Sequence, residues 1–345
     1  MRAERSFADK LREVVSCTVD DSPRRRAEYS SDASNYRVVP AAVVFPRETA
    51  EVAEVLEVCA AEGVALTARG GGTSCAGNSV GPGVVIDFSR HLGRVLGVDP
   101  ATRTALVQPG TVLDDLQLAA RAHGLRFGPD PSSHSRCTLG GMIGNNACGA
   151  HAMAYGTTAA NVVSLELLDG RGRHLRVGPG GDEPVGLAEL VGSEVAPIAG
   201  ELGRFGRQVS GYSLQHLLAD AALQRAALPE RTGRAPAGPA AGDPDHPPAA
   251  SGSTLPAIPR GGLARALVGT EGTCGLVLGA EVGLVPLPAA SALVVLGYPD
   301  IGAAAEAVPA LVPLAPLALE GIDARLVELV RSRRTGPAGA RRGLS

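Results

Sequence analysis

Hydrophobic residues form short runs separated by amphipathic stretches from Pro40 onward. The run 41–45 predicts a strand, and the run 64–68 predicts a second one. Between them, apolar residues recur at helical spacing and therefore share one helix face, namely Val52, Val55, Leu56 and Cys59. The pattern predicts a β-α-β unit whose second strand leads into three consecutive glycines.

Similar runs continue through the rest of the chain and predict a mixed α+β fold. A helix is expected from Thr111, as its N-cap residue, to Gly124. Further strands are predicted over 84–88, 95–98, 104–107, 162–168, 275–278 and 282–285.

The pattern also divides the chain into parts. Residues 1–36 are a polar, arginine-rich lead segment, and 37–288 hold the main body, in which 225–259 is expected to be a disordered insertion rich in Pro, Ala and Gly. Residues 289–332 predict a strand-helix-strand-helix series, with strands at 293–296 and 317–320. This series looks like the start of a further domain, and 333–345 is expected to be a disordered tail. We therefore expect a fragment or a truncated gene product.

Composition narrows the class of protein. The 345 residues are 45% hydrophobic but only 3% aromatic, so Val, Leu and Ala must fill the core. A net charge of -3 gives no reason to expect a nucleic-acid partner. The six cysteines form no C-x-x-C pattern, which argues against a zinc or iron–sulfur site and for free thiols in a reducing compartment. Since the sequence also has no His pair at metal-ligand spacing, we expect no metal. Without a secretory leader or a long apolar run, we expect no transmembrane segment and a cytoplasmic protein.

The stretch 69–78, RGGGTSCAGN, is the first candidate site. Three glycines let another molecule approach the main chain without meeting a Cβ, and their N–H groups can point into one concavity suited to phosphate oxygens. The stretch lacks the Gly-Lys-Ser/Thr of a P-loop and the final glycine of a G-x-G-x-x-G fingerprint. Taken alone, it is also compatible with a glycine-rich surface turn.

Two further glycine-rich stretches resemble the first in character. One is 131–149, PSSHSRCTLGGMIGNNACG, and the other is 269–275, GTEGTCG. Three such turns beside predicted strands are better explained by one long phosphorylated ligand than by three independent loops.

These stretches, in this order, resemble the FAD-linked oxidases of the vanillyl-alcohol-oxidase type, whose cofactor domain is called PCMH-type. The resemblance covers about 37–288 and includes Gln108-Pro109-Gly110 and Tyr155-Gly156. Together with Ser210-Gly211-Tyr212, the 140–149 stretch is most similar to the D-2-hydroxy-acid dehydrogenase and glycolate oxidase D subunit branch. The resemblance implies an α+β fold: a PCMH-type FAD-binding domain of two α/β subdomains, followed by the start of an incomplete α+β cap domain.

The resemblance also implies a set of cofactor-binding residues. Some relatives attach the flavin covalently through a His after the glycine triplet; Thr73 stands there in this chain, so noncovalent FAD is expected. The implied set is Arg69, Gly70, Gly71, Gly72, Thr73, Ser74, Gly77, Asn78, Pro131, Thr138, Gly141, Gly144, Asn145, Gly149 and Val163.

The implied reaction is hydride transfer from a D-2-hydroxy acid, of the D-lactate, glycolate or D-2-hydroxyglutarate class, to the flavin N5, with a separate electron acceptor. No catalytic residue is identified. His134 and His151 could face the flavin or hydrogen-bond the loop backbone, and Glu271 is expected to fix its own turn. In the resembling enzymes the substrate and metal residues lie in the cap domain, and long members add an iron–sulfur module whose cysteine clusters this chain lacks.

Two other functions stay open. One is an FAD-binding module or partner subunit without turnover of its own, paired with an iron–sulfur chain or lacking a C-terminal module. The other is an NADPH-dependent reductase of the UDP-N-acetylenolpyruvoylglucosamine type, which shares the FAD domain.

Overall fold

The computed structural model describes residues 6–182, 184–202, 211–218 and 261–334. It divides into two compact units, 1–287 and 288–345. The predicted disordered insertion, 225–259, lies outside the described residues, as does the predicted tail beyond Arg334.

The first unit contains a four-stranded sheet in the order β1-β2-β4-β3. Strand β2 runs parallel to β4, and β4 runs parallel to β3, while β1 is antiparallel to β2. The predicted β-α-β unit is present, with helix Thr49–Ala61 between β2 and β3. The strands are β1 Thr18–Asp20, β2 Ala42–Phe45, β3 Leu66–Arg69 and β4 Val84–Asp87.

A second, antiparallel sheet of the first unit has the order β5-β6-β10-β8-β9. A short two-stranded sheet pairs β11 with β7. The strands are β5 Val95–Asp99, β6 Thr104–Val107, β7 Leu125–Arg126, β8 Val162–Leu168, β9 His174–Val177, β10 Leu276–Gly283 and β11 Val285–Pro286.

Short helices surround both sheets. Those of the first unit are α1 Phe7–Val14, α2 Pro23–Glu28, α3 Thr49–Ala61, α4 Leu113–Arg121, α5 Leu139–Asn145, α6 Ala152–Tyr155, α7 Leu187–Ser193, α8 Val195–Pro197 and α9 Gly262–Ala266. Short 3-10 turns lie at Ala159–Asn161 and Leu214–Leu217, with a π turn at Ile198–Leu202.

Residues of both sheets contribute to one hydrophobic cluster. Val44 and Val52, from β2 and α3, are fully buried in the cluster beneath the first sheet. Leu168 and Leu276, from the second sheet, belong to the same cluster. Burying each such side chain contributes about 1.5–3 kcal/mol, so the sheets stabilise one another. This packing fixes the end of β3, from which the first glycine-rich segment leaves, and the start of β10, which the third one precedes.

Several local expectations are wrong. Thr111 does not cap α4; its hydroxyl donates to the carbonyl of Arg94 at 2.9 Å, and Val112 precedes the helix. The two strands predicted over 275–278 and 282–285 are largely one, because β10 runs from Leu276 to Gly283 between β6 and β8.

The second unit contains two helices, α10 Ile301–Leu311 and α11 Ala324–Arg334, and a 3-10 turn at Val312–Leu314. The strands predicted at 293–296 and 317–320 are absent from its described part. Within the described residues this run pairs with no strand, and Leu293 and Val295 are 90% and 83% exposed. A strand without a hydrogen-bonding partner is not stable in water.

Candidate functional site

One cavity of the first unit, with a volume of about 250 Å³, collects the three glycine-rich segments on its wall. The first segment follows β3, the second spans the start of α5, and the third precedes β10. Apolar side chains complete the wall, among them Phe88, Leu167, Leu267 and Val277. The structure therefore brings together segments that are almost 200 residues apart in the chain, as the 193-residue separation of Asn78 and Glu271 illustrates.

Most of the sequence-predicted residues lie on this wall. They are Arg69, Gly70, Gly71, Gly72, Thr73, Ser74, Asn78, Thr138, Gly141, Gly144 and Asn145. Four others do not line it: Gly77, Pro131, Gly149 and Val163. Val163 is a core residue of β8, and a Cβ on Gly149 would overlap the backbone of Asp130. The structure thus separates a wall-lining set from four residues that lie outside the wall, of which Pro131 and Val163 are buried and Gly77 and Gly149 are partly exposed.

The first two glycine-rich segments pack directly on one another. A Cβ on Gly70 would overlap the Thr138 side chain, and a Cβ on Gly71 would overlap the carbonyl oxygen of Arg136. Thr138 in turn caps α5 by accepting a hydrogen bond from the Gly141 N–H at 3.3 Å. Only glycine allows this approach of the two backbones.

The glycine loop, residues 69–79, presents free main-chain donors. Within the described residues, the N–H groups of Gly71, Gly72, Thr73 and Ser74 have no hydrogen-bond acceptor. All four residues line the cavity. A run of unpaired N–H groups beside a concavity is a suitable site for anionic oxygens.

Arg69 lies on the wall, but its guanidinium is already engaged. Its Nη1 donates to the carbonyls of Ser31 at 3.0 Å and Ser79 at 3.1 Å. The guanidinium carbon lies 5.0 Å from the ring centroid of Tyr29, whose hydroxyl donates to Asp87. Burial and this carboxylate raise the pKa of Tyr29 far above its usual range, which keeps the hydroxyl protonated. Arg69 thus braces the loop.

A series of side-chain hydrogen bonds joins the first glycine-rich segment to the third. The Ser74 hydroxyl donates to the side-chain oxygen of Asn78, whose amide nitrogen donates to the Glu271 carboxylate. The Glu271 N–H donates to the carbonyl of Gly144 at 2.9 Å. Glu271 thus anchors its turn to Gly144 through its N–H, and its carboxylate also holds the glycine loop.

Neither candidate histidine lines the cavity. His134 Nδ1 lies 2.7 Å from a carboxylate oxygen of Asp114, and His151 pairs with Asp130. Among the described residues no cluster of His, Cys, Asp and Glu could hold a metal ion.

Sequence reasoning missed the cysteines of the wall. Cys75 and Cys274 are exposed there, while Cys137 is buried and its burial raises the pKa of the thiol. The apolar residues Phe88 and Leu267 were missed as well, because nothing in a core-like residue distinguishes a cavity wall from the core.

Residues 40–178 match a family model described as FAD binding domain. The chain carries an FAD-binding domain of the PCMH-type FAD-linked oxidase family, and FAD is the cofactor of that domain. The family resemblance and the α+β fold class expected from the sequence are confirmed.

Relatives named D-2-hydroxyglutarate dehydrogenase resemble most of the chain. That of Pantoea ananatis is 30% identical over 327 residues, covering 89% of this chain and 28% of the relative. That of Pseudomonas putida is 32% identical and covers 88% of this chain and 28% of the relative. The glycolate oxidase subunit GlcD of Bacillus subtilis is 29% identical over 88% of this chain and 50% of the relative. The chain thus spans half or less of the length of these relatives.

Among solved structures, an alkyldihydroxyacetonephosphate synthase has the same fold. It superposes with a TM-score of 0.52 at 18% identity, over 82% of this chain and 41% of the other. No helix in the described parts of the chain is long and apolar enough to span a membrane.

Proposed function

We propose that this chain is the FAD-binding part of an oxidoreductase that acts on a D-2-hydroxy acid of the D-lactate, glycolate or D-2-hydroxyglutarate class. One observation carries the proposal: a single cavity whose wall unites three glycine-rich segments and the unpaired N–H groups of the glycine loop. The names of the relatives support the substrate class, since they include D-2-hydroxyglutarate dehydrogenases and a glycolate oxidase subunit.

The residues of the cavity fit FAD. The N–H groups of Gly71 to Ser74 suit the pyrophosphate oxygens, and Gly144 lines the cavity without a side chain that would keep a planar ring from the backbone. Apolar walls such as Phe88 and Val277 exclude water from that ring. Thr73 offers no imidazole for a covalent link, so the cofactor is held noncovalently. We retain Gly77, Pro131, Gly149 and Val163 as residues that support the binding segments from behind.

When bound, FAD supplies the hydride acceptor for the hydroxy acid. The residues of this chain bind and orient it. They also shield it from water. Among the described wall residues, Glu271 is the one carboxylate, and its engagement by Asn78 fits a structural role better than that of a base.

We place the FAD-binding domain at 37–288 and the start of a cap domain at 289–332, a division supported by the separation of the two units after Leu287. Substrate-binding and metal-binding residues are proposed to come from polypeptide beyond this chain, either a further module or a partner subunit. The free cysteines support a reducing, cytoplasmic location.

The test combines a spectrum with turnover assays. Purified protein is expected to carry a flavin absorbance band, to release FAD on denaturation, and to reduce no dye with D-lactate, glycolate or D-2-hydroxyglutarate alone. Dye reduction by the isolated chain would show that it holds a complete active site. Consumption of NADPH would instead identify the reductase, and a flavin-free protein that cannot be reconstituted would contradict the proposal.

A second candidate is an FAD-binding subunit with no turnover in any assembly. This candidate needs no acid or base on the described cavity wall, where the one carboxylate, Glu271, is engaged by Asn78. Addition of a partner chain would separate the two, because only the oxidoreductase gains dye-reducing activity.

A further inference from the structure

Residues 29–36, which we call the strap, run beside the glycine loop and hydrogen-bond to it. The Ala33 N–H donates to the carbonyl of Gly72 at 3.1 Å. The Ser31 carbonyl accepts from Arg69 at 3.0 Å. The strap therefore contacts both the start and the glycine triplet of the loop.

The strap also reaches the far end of the loop. A Cβ on Gly77 would lie 2.7 Å from the ring of Tyr36, so that ring rests on the loop backbone. Asp32 accepts hydrogen bonds from the Ser79 hydroxyl at 2.9 Å and from the Ser79 N–H at 3.4 Å. Contacts at Arg69, Gly72, Gly77 and Ser79 thus span the whole loop.

Asp32 links strap and loop through one carboxylate. Its Oδ1 accepts from the Ser34 N–H at 2.8 Å, which fixes the strap's own turn, while its Oδ2 accepts from Ser79. Ser79 is buried, with 7% of its surface exposed. Loss of the carboxylate would leave this buried hydroxyl without its acceptor, a change that costs more than an average hydrogen bond contributes.

The strap leaves the cavity side of the loop free. It takes up the Gly72 carbonyl and the Ser79 donors, whereas the N–H groups of Gly71 to Ser74 stay unpaired beside the cavity. A glycine triplet alone would populate many conformations, since glycine loses the most entropy when it is ordered. An outside brace is therefore needed to keep the donors aligned.

We propose that Asp32 is a positioning residue: through Ser79 it holds the glycine loop in the conformation that presents its N–H groups to FAD before FAD arrives. The hydrogen bonds of the apoprotein support the claim that Asp32 holds the loop. The expected effect on FAD affinity rests on the proposed function. Preorganisation of this kind raises affinity by removing an ordering cost from the binding step.

Trypsin can cleave after Arg69, so the rate of cleavage there reports how firmly the glycine loop is held. Limited proteolysis of the apoprotein is followed at Arg69 and, as an internal reference, at Arg94, whose backbone hydrogen-bonds to Gln108 and Thr111. FAD affinity is measured on the same samples by quenching of flavin fluorescence.

Asp32→Ala is expected to raise the rate of cleavage at Arg69, relative to Arg94, about tenfold and to weaken FAD binding by a similar factor. Ser79→Ala removes the hydroxyl that donates to Asp32 and should also raise the relative rate of cleavage at Arg69. It tests the proposal even if Asp32→Ala fails to fold. Asp20→Ala is the matched control: its carboxylate also accepts from a nearby serine N–H and an arginine but does not touch the loop.

Equal relative cleavage in wild type, Asp32→Ala and Ser79→Ala would overturn the proposal. So would faster cleavage at Arg94 and Arg69 alike, which indicates a general loss of stability. If wild-type protein binds no FAD, the proposed function fails, while the cleavage ratio still decides whether the strap holds the loop.

Discussion

The side chain of Asn78 donates a hydrogen bond to the carboxylate of Glu271, so two residues 193 positions apart meet at the wall of one cavity. Asn78 belongs to the glycine loop, and Glu271 belongs to the turn before β10. Glu271 has a positive φ of 55°, and Gly272 beside it has a φ of 77°. A tight turn thus aims the carboxylate at the loop and ties the first sheet's loop to the second sheet.

This pairing predicts a measurable coupling. Asn78→Ala and Glu271→Ala should each destabilise the apoprotein slightly, and the double variant should lose less than the sum. The expected coupling is about 0.5–1 kcal/mol, because the contact is charged but partly exposed to solvent. Urea unfolding of wild type, the two single variants and the double variant gives this coupling energy. Additive losses would show that the hydrogen bond contributes nothing to the stability of the fold.

Gly71 tests the close packing of the first two segments. Gly71→Ala would push a methyl group into the Arg136 carbonyl. We expect a loss of about 1–3 kcal/mol in unfolding free energy and at least tenfold weaker FAD binding. Gly170→Ala is the control, since no atom lies within 4 Å of its added Cβ. Equal behaviour of the two variants in thermal melts and FAD titrations would contradict the packing.

The cysteines predict a pattern of alkylation. Cys75 and Cys274 are exposed on the cavity wall, so iodoacetamide should modify both, and bound FAD should slow the reaction. Cys17 and Cys59 are buried, and burial raises the pKa of each thiol to about 11. They should stay unmodified at pH 8 because the thiolate is the reactive form. Peptide mass spectrometry distinguishes the sites; equal alkylation of Cys75 and Cys274 with and without FAD would place the cofactor elsewhere.

The lowered pKa of the Asp32 carboxyl predicts that the stability of the protein depends on pH. Burial raises the pKa of this carboxyl, but the hydrogen bonds from Ser34 and Ser79 outweigh it, and the pKa lies below its usual range. A carboxyl with a lower pKa in the folded state stabilises the protein above its unfolded pKa of about 3.9, and that contribution is lost as pH falls through the folded pKa.

Asp32→Asn should therefore be less stable than wild type at pH 6 and should lose less stability between pH 6 and pH 3. Urea midpoints across this range provide the measurement. Parallel pH profiles of the two proteins would show that the carboxylate adds nothing to folding.

Sequence patterns were sufficient where the physical signal is local. Buried runs such as 162–168 form the predicted strand, and the three glycine-rich stretches do reach one cavity. The strand predicted at 293–296 does not form, because apolar side chains alone do not provide a second strand for it to pair with. The link from Asp32 to Ser79 could not be foreseen, since it depends on the path of two irregular segments 47 residues apart.

The same limit applies to Arg69. The resemblance places Arg69 among the cofactor-binding residues, yet in the structure its guanidinium donates to the carbonyls of Ser31 and Ser79. The sequence indicates that a cation lies near the loop. Only the fold shows which carbonyl groups accept its hydrogen bonds.

Titration of the apoprotein with FAD tests the central claim most directly. Wild-type protein is expected to quench flavin fluorescence saturably, with one FAD bound per chain and full release of the cofactor on denaturation, and Gly71→Ala is expected to bind at least tenfold more weakly. Absence of saturable binding by folded wild-type protein, or equal affinity of Gly71→Ala, would contradict an FAD site at the glycine loop.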